Sequence, residues 1–335
     1  MRRYYILALV LVCGISAILW QRFHTRHPDE ASLQVFASTI AREPIEPLPS
    51  AIVLDQAKVN LGEALFNEPQ LSRDNTKSCA SCHNLATGGA DGRARSIGIN
   101  GSVGPVNAPT VFNSGDNFKQ FWDGRAETLE DQIDGPVQAA DEMGSTWTDV
   151  IAKLGKSANY PASFKDLYAD GIQVSNIKDA IATFERSLNT PDSRFDQYLR
   201  GVDSALDGEE KRGYQIFKSY GCVSCHQGIN IGGNMFQTFG VMAGYFADRG
   251  HITRADFGRF NVTRDEGDRY VFKVPSLRNV ELTAPYFHDG SAGTLDDAVQ
   301  VMGKYQLGRK LSEEDTSALV SFLKTLTGTY KGARL

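Results

Sequence analysis

Apolar residues recur at helical spacing along most of the chain, whereas the alternating pattern of a half-buried strand is sparse. The clearest helix is predicted over 174–188. Its repeating apolar positions are Ile177, Ala180, Ile181, Phe184 and Leu188. The other predicted helices span 127–134, 146–155, 162–168, 294–302 and 312–326. The fold class is therefore predicted to be mostly α.

An apolar stretch at the N-terminus has a different pattern, because residues 4–20 carry no charge and are flanked by arginines. A helix of this length, at about 1.5 Å per residue, is at the short end of what crosses a bilayer and is long for the core of a cleaved signal peptide. We therefore expect residues 1–27 to form an inner-membrane anchor, with a cleaved signal segment as the alternative. The proline-rich stretch 28–50 is predicted to be an extended linker.

The charge balance argues against a nucleic-acid partner. The chain has 35 basic and 40 acidic residues, and its first 28 residues contribute four arginines and no acid. Because the whole chain carries a formal charge of −5, the remainder carries −9. Such a surface would instead steer a basic or polar small redox carrier.

Four of the five cysteines lie in two copies of Cys-x-x-Cys-His, the signature of covalent c-type haem attachment. The residues are Cys79, Cys82 and His83 in the first copy, and Cys222, Cys225 and His226 in the second. Each pair of sulfurs would bond one haem, and each histidine would be the proximal ligand of its iron. A zinc site or a redox dithiol would not require the adjacent histidine. Two haem c groups are predicted, and their attachment chemistry predicts export to the bacterial periplasm.

The fifth cysteine, Cys13, lies in the apolar N-terminal stretch, so no disulfide is expected. A weak internal repeat accompanies the two haem motifs, because each is preceded by a short amphipathic segment with a glycine and two large apolar residues. These residues are Gly62, Leu65 and Phe66 in the first segment, and Gly213, Ile216 and Phe217 in the second. The repeat predicts two haem domains, at 51–190 and 191–335.

The sixth ligand of each iron determines whether the haem transfers electrons or reacts. No histidine lies between His83 and His226. The first haem is therefore left with methionine, lysine, water or an open position, unless His251 or His288 reaches it. His251 lies in a polar, glycine-flanked segment and is interpreted as a surface residue.

The candidate sulfur ligands of the second haem are Met235, Met242 and Met302. Met302 follows one predicted helix and precedes the terminal one, the usual place of a cytochrome c thioether ligand. From its position in the sequence alone, Met302 could equally be a methionine of the hydrophobic core. A histidine and methionine pair would raise the potential of this haem and suit it to passing an electron.

Several segments resemble the bacterial dihaem cytochrome c peroxidases. They are FWDGRA at 121–126, GPVQ at 135–138, EM at 142–143, SRFD at 193–196, FKVPSLRN at 272–279 and PYFHDG at 285–290. The match runs from about residue 52 to 328. It implies two cytochrome c-type domains packed face to face, with the N-terminal haem reducing peroxide and the C-terminal haem supplying electrons.

The resemblance also implies roles around the first haem. Glu142 matches a distal carboxylate that moves a proton from the inner to the outer peroxide oxygen. Gln132, Phe121 and Pro136 match the rest of that pocket, where the glutamine could hydrogen-bond peroxide and the others could exclude water. Trp122 matches an aromatic residue between the haems. Without the resemblance, Glu142 would be interpreted as a solvated acid and Trp122 as core packing.

Met302 matches the axial ligand of the electron-donating haem, where the related branch that oxidises protein tryptophans has tyrosine. The resemblance further implies a calcium ion between the haems, bound by Asn107 and the backbone carbonyls of Thr283 and Pro285. Many members also carry a histidine that caps the first iron at rest, whereas this chain has Ile99 there. Because isoleucine cannot ligate iron, we expect the first haem to rest without a protein sixth ligand.

The sequence therefore predicts an enzyme, a cytochrome-c peroxidase that reduces H₂O₂ to water with electrons from a small periplasmic carrier. A cytochrome c, a cupredoxin or a membrane quinol could be the donor. One alternative is a non-catalytic dihaem electron carrier or redox sensor. Another is peroxide-driven oxidation of a partner protein. A homodimer is compatible with the resemblance.

Overall fold

Residues 43–335 are described in the computed structural model of this chain. The predicted anchor at 4–20, Cys13 and most of the predicted linker lie outside the described residues. Within 43–335, no helix combines the length and the apolar character needed to cross a membrane.

The described chain is mostly helical, as the apolar periodicity predicts. Its helices are α1 (Gln56–Phe66), α2 (Leu129–Gln138), α3 (Trp147–Lys156), α4 (Tyr160–Leu167), α5 (Val174–Ser187), α6 (Arg194–Leu199), α7 (Gly208–Ser219), α8 (Tyr245–Arg249), α9 (Phe260–Thr263), α10 (Leu295–Gln306) and α11 (Glu313–Lys324). The strands form two short antiparallel pairs, β1 (Phe236–Thr238) with β2 (Val271–Lys273) and β3 (Thr329–Tyr330) with β4 (Ala333–Arg334).

The helices predicted from periodicity are all present, with ends that shift by a few residues. The shift is large at α2, which runs to Gln138 instead of ending at 134. A proline usually ends or bends a helix, because it has no N–H to donate. Here Pro136 lies inside α2, and its carbonyl accepts a hydrogen bond from Met143 N at 3.1 Å. The helix therefore continues towards the loop that carries Glu142.

The internal repeat corresponds to one helix crossing in each half of the molecule. Helix α1 crosses α5 at Gly62, where a Cβ atom would lie only 2.0 Å from the Ala180 carbonyl oxygen. Helix α7 crosses α11 at Gly213, where a Cβ atom would lie 1.9 Å from the Ala318 carbonyl oxygen. Both positions require glycine because the two backbones approach so closely.

An aromatic core lies beside each haem motif. In the first half, Phe66 and Phe184 pack edge to face with ring centroids 5.2 Å apart, in a cluster that reaches Cys79. In the second half, Phe195 and Phe322 pack in the same way at 5.0 Å, in a cluster that reaches Cys222. The helix crossings thus bury the apolar residues that surround each attachment site.

The last residues of the predicted linker are packed rather than free. Ile45 and Leu48 are each 1% exposed, and Leu48 N donates to Asp196 Oδ1 at 3.2 Å. Asp196 also accepts from Arg278 Nη1 at 2.7 Å, with both side chains fully buried. The guanidinium donates in turn to the Glu46 carbonyl at 3.0 Å. The chain is therefore part of the second half from residue 45, because a buried ion pair needs these backbone partners.

The C-terminal hairpin β3–β4 returns to the first half. The ring of Tyr330 packs edge to face on Phe112 with centroids 5.1 Å apart, and Lys331 Nζ lies 2.9 Å from Glu63 Oε1. The last residues of the predicted second domain therefore pack on the predicted first domain.

Candidate functional site

The first haem motif forms one 3-10 turn, Cys79–Ser81, followed by His83. His83 N donates to the Cys79 carbonyl at 2.9 Å, which holds the histidine next to the cysteines. Its Nδ1 lies 3.2 Å from the Gly89 carbonyl oxygen. With Nδ1 donating there, Nε2 keeps its lone pair for a metal. Burial lowers the pKa of His83, and this favours the neutral, ligating form.

The second motif repeats this arrangement. A 3-10 turn spans Cys222–Ser224, and His226 N donates to the Cys222 carbonyl at 3.0 Å. The Nδ1 atom of His226 lies 3.4 Å from the Ile231 carbonyl oxygen, and burial lowers its pKa to about 4. Gly232 lets the backbone after His226 lie close to Pro275, since a Cβ atom on Gly232 would lie 2.2 Å from the Pro275 carbonyl oxygen. Both histidines are thus oriented as neutral ligands.

The four motif cysteines are free thiols, with no disulfide among them. Burial raises the pKa of Cys79 and of Cys82, and it raises the pKa of Cys222 to about 11. A raised thiol pKa disfavours the thiolate form that redox dithiols use. Their placement beside a buried, oriented histidine fits covalent haem attachment at both motifs.

A cavity of about 420 Å³ lies over the second motif. Its lining includes Cys222, Cys225, His226 and Met302, together with apolar residues of α10 and α11. Met302 is the only methionine among the lining residues of the described chain. Met242 is 60% exposed. The cavity therefore fits a haem held by His226, with Met302 on its wall.

Glu142 lies in the loop after α2, close to the first motif. Burial raises the pKa of Glu142 most, and the negative charge of Asp141 raises it further. The positive charge of Arg125 lowers it. The charge of Glu142 also contributes to the raised thiol pKa values of Cys79 and Cys82, as expected for a carboxyl group near the first attachment site. The loop is held from the other side by Ile99 N, which donates to the Glu142 carbonyl at 2.8 Å.

Phe121 is held between two neighbours. Its backbone has a φ of 68°, and the guanidinium carbon of Arg125 lies 3.4 Å from the ring centroid. On the α2 side, a Cβ atom on Gly135 would lie 2.7 Å from Phe121 Cζ. The ring therefore packs on α2 at Gly135, the residue before Pro136. Gln132 lies one turn earlier on α2, half-buried.

Trp122 links the two halves of the molecule. Its Nε1 donates to the Asn107 carbonyl at 3.0 Å, and its own carbonyl accepts from Lys273 N at 2.8 Å. The ring packs edge to face against His288 with centroids 6.4 Å apart. Trp122 also lines the cavity over the second motif. An aromatic group in this place lies on a direct route between the halves.

The three residues predicted to bind calcium all line the same cavity. Asn107 is 7% exposed and donates from Nδ2 to the Arg93 carbonyl at 2.8 Å, which leaves Oδ1 as a possible ligand. Thr283 and Pro285 also belong to the lining of this cavity. Neutral hard oxygens of this kind fit a calcium ion that keeps several waters.

His251 and His288 do not offer a ligand to the first haem. His251 is exposed, as its sequence context predicts. His288 is 2% exposed and its Nε2 lies 2.7 Å from Asp256 Oδ1. Burial alone would raise the pKa of Asp256. Hydrogen bonds from Arg249, Thr253 and His288 outweigh this effect and lower the pKa.

Sequence reasoning missed this cluster, in which Asp256, His288 and Asp289 place their ligand atoms within 4.8 Å of one another. Arg249 forms an ion pair with both carboxylates and so offsets part of their charge. Reasoning from the sequence also missed Arg125 and Lys273. The stacking of exposed Arg125 on Phe121 and the buried position of Lys273 appear only in the structure, and no local pattern in the sequence marks either residue.

Comparison with known proteins agrees with this geometry. Residues 56–204 match the family described as "Di-haem cytochrome c peroxidase", and residues 210–327 match "Cytochrome c". The chain is 51% identical over 289 residues to "Cytochrome c peroxidase Ccp" of Escherichia coli, an alignment that covers 86% of this chain and 62% of that protein. It thus spans less than two thirds of the length of that relative.

It is also 45% identical over 289 residues to "Cytochrome c551 peroxidase" of Nitrosomonas europaea, covering 86% of this chain and 85% of that protein. Among solved structures, a MauG-like protein associated with microbial copper homeostasis superposes with a TM-score of 0.72 at 29% identity, covering 85% of this chain and 93% of that chain. These likenesses extend over both haem motifs.

Proposed function

The chain belongs to the di-haem cytochrome c peroxidase family, and from this premise we propose that it reduces hydrogen peroxide to water at the first haem site. Electrons would arrive singly through the second haem site from a small periplasmic carrier. The observation that carries the proposal is Glu142, a half-buried carboxyl group with a raised pKa near the first pair of haem cysteines.

Each turnover converts H₂O₂, two electrons and two protons into two waters. When bound, the haems supply the redox chemistry. Glu142 accepts the proton of the inner peroxide oxygen and delivers it to the outer oxygen, so that water leaves as the O–O bond breaks. A raised pKa brings this carboxyl group closer to the pH at which it must both accept and release a proton.

The remaining pocket residues orient peroxide and exclude water. Phe121 and Pro136 are proposed to form an apolar wall next to Glu142, and the amide of Gln132 is proposed to hydrogen-bond peroxide. Arg125, stacked on Phe121, lowers the pKa of Glu142 and so limits the effect of burial. Together they keep Glu142 in an environment where its proton is neither lost to solvent nor held too tightly.

In the second half, Met302 is proposed as the axial partner of His226. A thioether ligand raises the reduction potential, which suits this haem to holding an electron until peroxide binds. Trp122 is proposed to shorten the electron path between the halves. Asn107, with the carbonyls of Thr283 and Pro285, is proposed to hold a calcium ion that fixes this interface.

The first haem is proposed to rest without a protein sixth ligand. Ile99 is fully buried, and its side chain packs on Gly144, where a Cβ atom would lie 2.6 Å from Ile99 Cδ1. Low-temperature electron paramagnetic resonance of the diferric protein should therefore show a high-spin site that reacts rapidly with peroxide. A wholly low-spin, bis-histidine spectrum would refute this part of the proposal.

Export to the periplasm, anchorage through residues 4–20 and a homodimer belong to the same proposal. The test of function is steady-state peroxide reduction by purified holoprotein with reduced cytochrome c, cupredoxin and quinol as separate donors. We expect one donor to support continuous turnover. Full haem loading without peroxide consumption by any donor would favour an electron carrier or sensor instead, and a modified partner residue after peroxide treatment would favour partner oxidation.

A further inference from the structure

Lys273 is a buried residue whose ammonium group has no partner among residues 43–335. It is 8% exposed at the end of β2, and no hydrogen bond or ion pair joins its Nζ to any residue of 43–335. Burial alone lowers its pKa to about 8. Arg278, the other deeply buried cation of this half, bonds Asp196 at 2.7 Å. A buried ammonium without a counter-ion is unfavourable, so the chain by itself leaves this charge uncompensated.

The position of Lys273 is fixed by its backbone. It pairs with Phe236 across the β1–β2 ladder, and its N–H donates to the Trp122 carbonyl at 2.8 Å. Lys273 is one of the residues that line the cavity of about 420 Å³, together with Cys222, His226 and Met302. Lys273 therefore borders the space that fits the second haem, next to Trp122, which links the two halves.

No other charged side chain faces Lys273 across this space. Among the described residues that line the cavity, Lys273 is the only lysine or arginine, and none is an aspartate or glutamate. His288 also lines it, but its Nε2 is occupied by Asp256. The cavity thus offers one cation to whatever carboxylate enters it.

We propose that Lys273 is the counter-ion of a propionate carboxylate of the second haem. Haem c keeps two propionates after thioether formation, and an ammonium group donates up to three hydrogen bonds, which are strong when the acceptor is ionised. The pairing rests on haem occupancy of the second site and does not depend on peroxide turnover. It anchors the acidic edge of the haem beside Trp122.

The pairing has a measurable redox consequence. A retained positive charge near an iron stabilises the reduced state, which has one positive charge fewer than the oxidised state. Lys273 should therefore raise the reduction potential of the second haem, in the same direction as a thioether ligand.

The experiment compares the holoprotein with Lys273→Met, which keeps the length of the side chain and removes its charge. Spectroelectrochemical titration should show that, at a fixed ambient potential, the ratio of reduced to oxidised second haem falls at least tenfold. For a one-electron couple this is a shift of about 59 mV to lower potential. Lys273→Arg should keep the ratio within about threefold of the original, because the charge is retained.

Lys324→Met, an exposed lysine on α11, provides the control and should leave both potentials unchanged. Thermal unfolding gives a second, independent readout. If the propionate pair exists, Lys273→Met leaves a carboxylate unpaired in the cavity and lowers Tm. If Lys273 has no partner, the substitution removes an uncompensated buried charge and raises Tm.

Haem content, measured on each variant by the pyridine haemochrome spectrum, shows whether a lost signal reflects a lost haem. With both haems loaded, unchanged potentials together with a raised Tm would overturn the proposal. A shift in reduction potential confined to the first haem would also overturn the proposal, because the carboxylate paired with Lys273 would then belong to the first haem. Neither result would bear on peroxide turnover, which is measured separately.

Discussion

The two haem-binding halves differ in which kind of buried group has its pKa shifted towards the neutral form by burial. In the first half, Glu142 and Glu185 are carboxyl groups whose pKa values are raised by burial, to about 8 for Glu185. In the second half, Lys273 and Arg278 are cations whose pKa values are lowered by burial. Each half therefore surrounds a similar haem motif with a different electrostatic environment.

This difference matches the chemistry proposed for each half. Reduction of peroxide moves and consumes protons, so carboxyl groups that can hold a proton near neutral pH are useful beside the first motif. Storage of an electron is favoured by nearby positive charge and by a thioether ligand. The backbone of the two halves is repeated, whereas their buried charges are not.

The largest effect is expected from a change that disables the first half alone. Glu142→Gln keeps the size of the side chain but cannot shuttle a proton, so kcat for peroxide should fall by about 10²–10⁴-fold. Stopped-flow and steady-state assays on the holoprotein measure it. Glu314→Gln, an exposed acid on α11, is the matched control and should retain full activity. If Glu142→Gln is as active as the unmodified holoprotein, the proposed proton transfer in the first half is wrong, and with it the chemical distinction between the halves.

A change at Met302 should disable the second half while sparing the first. Met302→Leu removes the proposed thioether, so the potential of the second haem should fall and donor-driven turnover should drop at least about tenfold. The single reaction of the diferric protein with peroxide should persist. Met242→Leu, at an exposed methionine, should change neither quantity. If Met242 and not Met302 carries the effect, the ligand assignment is wrong.

The repeated backbone can be tested by paired substitutions that should act alike. Gly62→Ala and Gly213→Ala each push a Cβ atom to within about 2 Å of a carbonyl oxygen on the crossing helix. Each should lower the free energy of unfolding by about 1–3 kcal/mol. Gly155→Ala, where nothing lies within 4 Å, should instead raise it by about 0.5–1 kcal/mol. Chemical denaturation of the three variant holoproteins measures these changes. Clearly different losses of unfolding free energy for Gly62→Ala and Gly213→Ala would show that the two helix crossings are not equivalent.

The smallest effect is expected from the buried acid on α5. The folded-state pKa of Glu185, about 8, lies above its ordinary value of 4.5, so its contribution to stability is fully present below 4.5 and is lost as pH rises to 8. Glu185→Gln should therefore flatten the profile of Tm against pH and stabilise the protein at pH 8 by ~1–2 kcal/mol. Glu313→Gln, at an exposed acid, should leave the profile unchanged. A profile that Glu185→Gln also leaves unchanged would show that Glu185 is ionised in the fold.

Much of the fold could be predicted from local sequence. Helix periodicity and polar N-caps are local properties, so α5 and α11 were predicted close to their observed ends. The Ser312 hydroxyl, for instance, accepts from Asp315 N at the start of α11. The extension of α2 through Pro136 was not predictable in this way, because the loop that follows it supplies the hydrogen bond that favours continuation.

The candidate site was predictable only in part. The haem motifs concentrate all attachment atoms within five residues, so spacing alone indicates them. Glu142 and Trp122 were identified by resemblance, and the structure shows what surrounds them. The Asp256–His288–Arg249 cluster was missed, because its members come from separate segments and nothing near each of them in the sequence indicates the others.

The sequence by itself determined where haem is attached, which segments are helical and that two similar halves follow one another, because these depend on residues a few positions apart. Only the tertiary structure decided which acids and bases are buried and whether they have partners. Glu185 and Lys273 are ordinary charged residues in the sequence. Burial is a property of the packed chain, and it is burial that raises the pKa of the one and lowers the pKa of the other.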